Sequence, residues 1–106
     1  MKLRIWVDDI RKPPESFIES YLWVASVDDA KSLIETIETR SSNEIELLDL
    51  DHDAGQYASK GGDYINILNW LEETGRNYPI RIHSMNPVGV ENMRRIIQRN
   101  GWTEVH

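Results

Sequence analysis

Apolar residues occur along this chain in short runs that polar or turn-forming residues interrupt. Four runs have the length and composition of β-strands, at residues 3–7, 21–25, 45–50 and 80–82. A further short run at residues 102–105 predicts a fifth strand. Each run is followed by a polar cluster or a turn, so each strand is expected to end there.

Longer segments place apolar residues three and four positions apart, which is the spacing of one helix face. Residues 27–39 show the clearest pattern, and Ser26 with Asp29 three positions later resembles a capping box at the start of that helix. A second helix is predicted between the glycine-rich loop at 54–62 and Gly75, which suits a helix end.

A third helix is predicted over residues 87–100, with Asn86 as the N-cap, Pro87 at the first helical position and Gly101 after the last. Strands therefore alternate with helices, which favours right-handed crossovers and an open parallel α/β sheet. A chain of 106 residues with 40% hydrophobic residues fits one domain, residues 1–106.

Composition narrows the function classes. The 12 basic and 18 acidic residues give a formal net charge of −6, which disfavours sequence-independent binding to DNA because such binding rests on phosphate neutralisation. The chain has no cysteine, so disulfides, thiolate nucleophiles and cysteine zinc sites are excluded. No apolar run approaches the roughly 20 residues of a membrane span, and the first residues lead straight into a strand, unlike a signal peptide. We therefore expect a cytoplasmic protein with no membrane partner.

Three polar clusters directly follow three of the predicted strands. They are Asp8-Asp9-Ile10-Arg11, Asp51-His52-Asp53 and His83-Ser84-Met85-Asn86-Pro87. In an open parallel sheet, ligands bind outside the carboxyl ends of the strands, and all three clusters fall at that edge. The candidate site is therefore expected there.

Four aspartates of these clusters are candidate metal ligands: Asp8, Asp9, Asp51 and Asp53. If the first and third strands are neighbours, about 5 Å apart, their carboxylates converge and need a cation or shifted pKa values. Oxygen ligands favour Mg²⁺ or Mn²⁺, and a phosphate often completes the shell of Mg²⁺. The simpler interpretation is that Asp8, Asp9 and Asp53 cap the turns after the strands. Asp49 lies on the same side of its strand as Asp51 but deeper in the apolar run, so it ranks behind Asp51.

His52 and His83 are the candidate proton-transfer residues. Each ends an apolar run, and if the third and fourth strands are adjacent the two imidazoles can flank one substrate as general acid and general base. With Asp51 they form the predicted catalytic set. The alternative is that each histidine is structural or orients a metal ligand.

A phosphate site is predicted at the start of the third helix, whose free N–H groups and positive dipole end point to the same edge. Its candidate residues are Ser84, Asn86, Gly89 and Asn92. Arg11 adds a guanidinium that can bind a phosphate or tie the carboxylates together. The alternative for this segment is an ordinary capped helix.

The order of the clusters resembles the receiver domains of two-component signalling, which carry an acidic pair after the first strand and an aspartate after the third. Receivers also have a lysine after the fifth strand, whereas Lys60 is the last lysine here. A fuller resemblance, over about residues 3–102, is to the cyclic-phosphate-processing receiver-like domains. Its motifs are Val7-Asp8-Asp9 with Arg11 and Pro14, Leu50-Asp51-His52-Asp53 with Gly55, Gly62-Asp63, and His83-Ser84-Met85-Asn86-Pro87-Val88-Gly89 with Asn92-Met93.

That resemblance implies a receiver-like, flavodoxin-like open parallel sheet of strand order 2-1-3-4-5, a divalent metal, and processing of cyclic phosphate ends, with RNA repair as a candidate setting. It carries over a site made of Asp8, Asp9, Arg11, Asp51, His52, Asp53, His83, Ser84 and Asn86. Asp49 departs from the family pattern, in which a small or apolar residue is expected.

The sequence thus favours a metal-dependent phosphoesterase that acts on a cyclic phosphate, carried by a small molecule or an RNA end. Two other interpretations stay open. One is a signalling module with Asp51 as phospho-acceptor, which the missing lysine disfavours. The other is a non-catalytic pseudo-receiver that binds a protein partner.

Compared with a receiver, the first helix is shortened to residues 14–20 and the last helix is missing. One sheet face is therefore expected to be thinly covered and to form a homodimer or bind a protein partner. The tryptophans expected in that interface are Trp6, Trp23 and Trp102. In a monomer, Phe17, Ile18 and the tryptophans would seal the face instead.

Overall fold

The computed structural model describes residues 1–15 and 21–106 and shows strands alternating with helices. The strands are β1 (Lys2–Val7), β2 (Tyr21–Val24), β3 (Glu44–Leu50) and β4 (Ile80–Ile82), and the helices are α1 (Val27–Glu38), α2 (Ile65–Thr74) and α3 (Pro87–Asn100). A short 3-10 helix, Gly55–Ser59, lies inside the segment that the sequence predicts as a loop. The other elements lie where the hydrophobic pattern predicts them, with ends that shift by about one residue.

All four strands are parallel, in the order β2-β1-β3-β4, which confirms the open α/β sheet of receiver type. The predicted fifth strand is reduced to a single parallel bridge between Ile80 and Glu104, beside β4. The Ile80 N–H donates to the Thr103 carbonyl at 3.0 Å, and the Val105 N–H donates to the Ile80 carbonyl at 2.7 Å. The segment after α3 therefore occupies the fifth position without forming a strand.

The three helices within the described residues cover one face of the sheet. The connections through α1, α2 and α3 all advance in the same direction across the strand order, and right-handed crossovers then place them on the same side. The core on that side includes the fully buried Ile5, Val7, Ile34, Leu48, Leu50, Leu68, Ile80 and Ile97. Only the connection from β1 to β2 runs the other way, and the shortened helix predicted within it falls largely on residues 16–20, outside the described residues.

The opposite face carries a mixed set of side chains. Alternation along the strands directs Trp6, Asp49 and Arg81 to that side, at neighbouring positions of the register. Charged residues interrupt the apolar patch expected here. Arg4, Glu46 and Arg81 line a cavity of about 510 Å³ on this face. The face is thus more polar than the sequence predicts.

The three tryptophans expected on that face are placed differently. Trp6 is 5% exposed and Trp23, on the edge strand β2, is 43% exposed. Trp102 packs against the core on the helix side instead, because the segment after α3 returns to pair with β4. The predicted contribution of Phe17 and Ile18 lies outside the described residues.

Both predicted N-caps are confirmed. Ser26 Oγ accepts from the Asp29 N–H at the start of α1, and Asn86 Oδ1 accepts from the Gly89 N–H at the start of α3, each at 3.0 Å. These side chains satisfy N–H groups that have no partner inside the helix. None of the helices within residues 1–15 and 21–106 is long and apolar enough to cross a bilayer.

Candidate active site

Three carboxylates meet where β1 and β3 end. Asp8 and Asp9 follow β1, Asp51 follows β3, and one oxygen of each lies within 4.8 Å of the others. The parallel pairing of β1 with β3 brings the two strand ends side by side. Asp8 is 1% exposed and Asp51 7% exposed, so two of these charges are held out of water. The structure therefore brings together three of the four predicted metal ligands.

The pKa values of Asp8 and Asp9 move in opposite directions. Burial alone would raise the pKa of Asp8, but hydrogen bonds from the Ile10 and Arg11 N–H groups, at 2.9 Å and 2.8 Å, and the contact with His83 lower it overall. Burial raises the pKa of Asp9, and the negative charges of Asp8 and Asp51 raise it further. The ionised form of Asp9 is therefore disfavoured, first by burial and then by the neighbouring carboxylates.

Gly55 allows Asp9 to take its position. The residue has φ +55°, and a Cβ atom there would lie 2.5 Å from Asp9 Oδ2. Glycine meets both requirements without steric cost. The 3-10 helix that begins at Gly55 therefore lies against the carboxylate cluster, where Asp9, Ile10 and Tyr57 line a cavity of about 350 Å³.

His83 is fixed on three sides at the same edge of the sheet. Its Nδ1 lies 2.7 Å from Asp49 Oδ1, and its Nε2 lies 3.0 Å from Asp8 Oδ2. Its ring stacks on Trp6, with ring centroids 3.8 Å apart and an interplanar angle of 5°. Its side chain is 10% exposed. Both ring nitrogens are thus engaged by carboxylates, one of which is a candidate metal ligand.

His52 belongs to a separate group. Its Nδ1 lies 2.7 Å from Asp53 Oδ1, and Asn86 Nδ2 donates to the same oxygen at 3.2 Å. These contacts lower the pKa of Asp53, with the bond to His52 as the largest cause. Asp53, predicted to join the first carboxylate cluster, instead has an oxygen within 4.8 Å of ligand atoms of His52 and Asp63. The two predicted proton-transfer histidines therefore have separate hydrogen-bond partners.

Three of the predicted phosphate-binding residues make contacts within the protein at the start of α3. Ser84 Oγ accepts from the Asn86 N–H at 3.1 Å, and Asn86 both caps α3 and contacts Asp53. Gly89 packs against the His52 ring. These contacts join the start of α3 to the segment after β3.

The other two predicted phosphate-binding residues are more open to solvent. Arg11 Nε lies 3.7 Å from Asp8 Oδ2, and its side chain is 49% exposed. The guanidinium is therefore close to the carboxylate cluster and still accessible to an anion. Asn92 is exposed on α3 and makes no side-chain hydrogen bond to the described site residues.

Asp49, ranked behind Asp51 as a metal ligand, lies outside the carboxylate cluster but makes contacts that the sequence pattern does not predict. It is fully buried, its Oδ2 accepts from the Tyr21 hydroxyl at 3.0 Å, and its Oδ1 contacts His83. Burial, followed by the charge of Asp49, raises the pKa of Tyr21. One sequence feature indicates these contacts. The two-residue spacing places Asp49 and Asp51 on the same side of β3, and a buried carboxylate there needs hydrogen-bond partners.

The family model described as the cyclic-phosphate processing receiver domain matches residues 3–99 of the chain. The chain belongs to this family. The matched segment contains all three polar clusters and ends within α3. Comparisons with curated proteins and with solved structures found no match.

Membership of the cyclic-phosphate processing receiver family agrees with the parallel sheet and associates the domain with cyclic-phosphate processing. The family motifs in this chain contribute the residues that meet at the carboxyl edge of the sheet. Asp49, within the matched segment, contacts Tyr21 and His83 there.

Proposed function

We propose that this domain is a divalent-metal-dependent enzyme that opens a cyclic phosphodiester, such as a nucleoside 2′,3′-cyclic phosphate or the same group at an RNA end. The observation that carries the proposal is the convergence of Asp8, Asp9 and Asp51 within 4.8 Å at the ligand-binding edge of the sheet. End processing in RNA repair is a setting that would supply such a substrate.

The donor set fits a hard cation. All three groups offer carboxylate oxygens, the type of ligand that Mg²⁺ and Mn²⁺ prefer. The raised pKa of Asp9 supports the same assignment, because burial and then the charges of Asp8 and Asp51 disfavour its ionised form when no cation is bound. Asp8, Asp9 and Asp51 would hold Mg²⁺ or Mn²⁺. When bound, the ion would polarise a phosphoryl oxygen and make a nearby water more acidic.

His52 is the best placed proton-transfer group. Asp53 holds the imidazole at Nδ1, the arrangement in which a carboxylate orients a histidine so that Nε2 serves the reaction. In ring opening, a water oxygen bonds to phosphorus while one ester P–O bond breaks. One proton leaves the water and one proton goes to the leaving ribose oxygen, and His52 Nε2 can carry out one of these transfers.

The other predicted residues support binding. Arg11, half exposed beside Asp8, can hold a phosphate oxygen. His83 would act by holding Asp8. Its Nε2 already contacts Asp8 Oδ2, which favours holding that ligand over transferring a proton.

Calorimetry with Mn²⁺ tests the metal centre directly. Asp51→Asn should abolish binding, because it removes a charged ligand from the cluster. Glu73→Gln is the matched control, since Glu73 lies exposed near the end of α2 and its substitution removes the same charge. Unchanged affinity in Asp51→Asn would remove Asp51 from the ligand set.

Turnover of nucleoside 2′,3′-cyclic phosphates, followed by phosphorus NMR, tests the reaction. We expect a nucleoside monophosphate to form only with Mg²⁺ or Mn²⁺ present. A phosphoryl adduct on Asp51 after incubation with acetyl phosphate, without cyclic-phosphate turnover, would instead establish the signalling module. Metal binding with neither reaction would favour the non-catalytic pseudo-receiver.

A further inference from the structure

Asp49 lies outside the carboxylate cluster and is connected to it through His83. We propose that Asp49 is a positioning residue that holds His83 by Nδ1, so that His83 Nε2 fixes the Oδ2 oxygen of Asp8. The inference rests on the proposed function, because it takes Asp8 as a metal ligand.

The carboxylate of Asp49 is itself held in one orientation. It is 0% exposed, and its Oδ2 accepts from the Tyr21 hydroxyl at 3.0 Å, with the Arg81 guanidinium 3.8 Å away. Its Oδ1 is thereby directed to His83 Nδ1 at 2.7 Å. A buried carboxylate is stable only when it is paired in this way, so the surrounding residues fix the orientation of the Asp49 carboxylate.

The His83 ring has little freedom left. Trp6 fixes the plane of the ring by stacking at 3.8 Å, and Trp6 is in turn held because its Nε1 donates to the Arg11 carbonyl at 2.8 Å. The contact with Asp49 then fixes the rotation of the ring within that plane. Nε2 therefore has one direction available, and it points at Asp8 Oδ2.

The two oxygens of Asp8 are held by different parts of the protein. Oδ1 accepts from two N–H groups of its own loop, those of Ile10 and Arg11. Oδ2 has His83 as its short contact, and a carboxylate oxygen has lone pairs enough to accept from His83 and still face a cation. Groups that orient a ligand from behind typically change metal affinity by about 10- to 100-fold.

Three variants separate orientation from charge and from general stability. Asp49→Leu has a similar size and no acceptor, whereas Asp49→Asn keeps an oxygen acceptor and loses the charge. Leu47→Ala is the matched control, because Leu47 is also buried on the same side of β3, two residues away, and has no polar group to hold His83. By calorimetry with Mn²⁺, we expect Asp49→Leu to bind about 10- to 100-fold more weakly. Asp49→Asn and Leu47→Ala should stay close to wild type.

Each other outcome has a defined meaning. Wild-type affinity in Asp49→Leu would overturn the positioning role and leave the proposed function standing. An equal loss in Asp49→Asn and Asp49→Leu would also overturn it, since charge alone would then matter. Absence of Mn²⁺ binding by the wild-type protein would overturn both proposals.

A measurement without substitution covers the case in which Asp49→Leu does not fold. Long-range ¹H–¹⁵N NMR of the wild-type protein should show a proton on His83 Nδ1 that exchanges slowly with solvent, because it is buried against Asp49. Asp49→Asn should keep that proton. A His83 ring that lacks a proton on Nδ1 or on Nε2 in the wild-type protein would overturn the proposal, because a ring nitrogen without a proton cannot donate to a carboxylate.

Discussion

The His52 imidazole packs directly on Gly89, where a Cβ atom would lie 2.4 Å from His52 Cγ. The contact with His52 requires glycine at this position of α3. The backbone conformation does not, because it is ordinary helix. The sequence predicts Gly89 as a phosphate-binding residue. The His52 ring occupies the space beside its backbone instead, so that His52 lies between α3 and Asp53.

Gly89→Ala should lower the free energy of unfolding by about 1–3 kcal/mol, because the added methyl group forces the His52 ring or α3 to move. In a His52→Ala background the space is free, and Gly89→Ala should then be neutral or stabilising by up to about 1 kcal/mol, the helix preference of alanine over glycine. Urea denaturation of the four proteins of this double-mutant cycle measures the coupling. An equal cost in both backgrounds would show that the contact with His52 does not explain the glycine.

Asp9→Asn should have opposite effects without and with metal. Because burial and the charges of Asp8 and Asp51 raise the pKa of Asp9, its ionised form destabilises the metal-free protein at pH 7, and the amide should raise the melting temperature. With saturating Mn²⁺ the melting temperature of the wild-type protein should rise more than that of Asp9→Asn, since metal binding stabilises the folded state. Thermal melts with chelator and with Mn²⁺ check the crossing. A variant that is less stable than wild type in chelator would contradict the electrostatic argument.

His52→Ala should lower kcat on a nucleoside 2′,3′-cyclic phosphate by about 10²-fold or more, as expected for a proton-transfer group. Its affinity for Mn²⁺ should stay close to wild type, because its imidazole contacts Asp53 and not the carboxylate cluster. His106→Ala is the control, since His106 is 76% exposed. Equal activity in both variants would remove His52 from the reaction.

Glu38 makes the pH dependence of stability testable away from the site. Hydrogen bonds from Arg76 lower the pKa of Glu38, burial opposes this, and the Tyr78 hydroxyl lowers it further. A lowered pKa means that the stabilisation is present above the ordinary value of 4.5 and is lost as the pH falls through the lower folded value.

Glu38→Gln should therefore lower the free energy of unfolding at pH 7 by up to about 1 kcal/mol, and the difference should vanish in acid. Denaturation at a series of pH values measures it. Glu91→Gln is the control, because Glu91 and its partner Arg95 are 67% and 66% exposed. A constant difference at all pH values would show that the contacts of Glu38 do not depend on its charge.

The order of strands and helices could be predicted from the sequence because local patterns determine it. The stripe in α1, the caps at Ser26 and Asn86 and the runs that form β1 and β3 are set by residues within a few positions of one another. The meeting of Asp8 with Asp51 also followed, since it needs only that β1 and β3 lie side by side in parallel.

The partners of the histidines were decided by the tertiary structure alone. Trp6 in β1 and His83 after β4 stack across the intervening β3, and no local pattern relates residues on two strands that are not neighbours. The same holds for Tyr21 and Asp49. His52, after β3, and Gly89, in α3, are likewise brought together only by the tertiary structure. The sequence by itself determined which residues reach the carboxyl edge of the sheet, because backbone periodicity is local. Only the tertiary structure decided that Asn86 contacts Asp53 and that Asp49 contacts His83, because those contacts depend on distances between elements far apart in the chain.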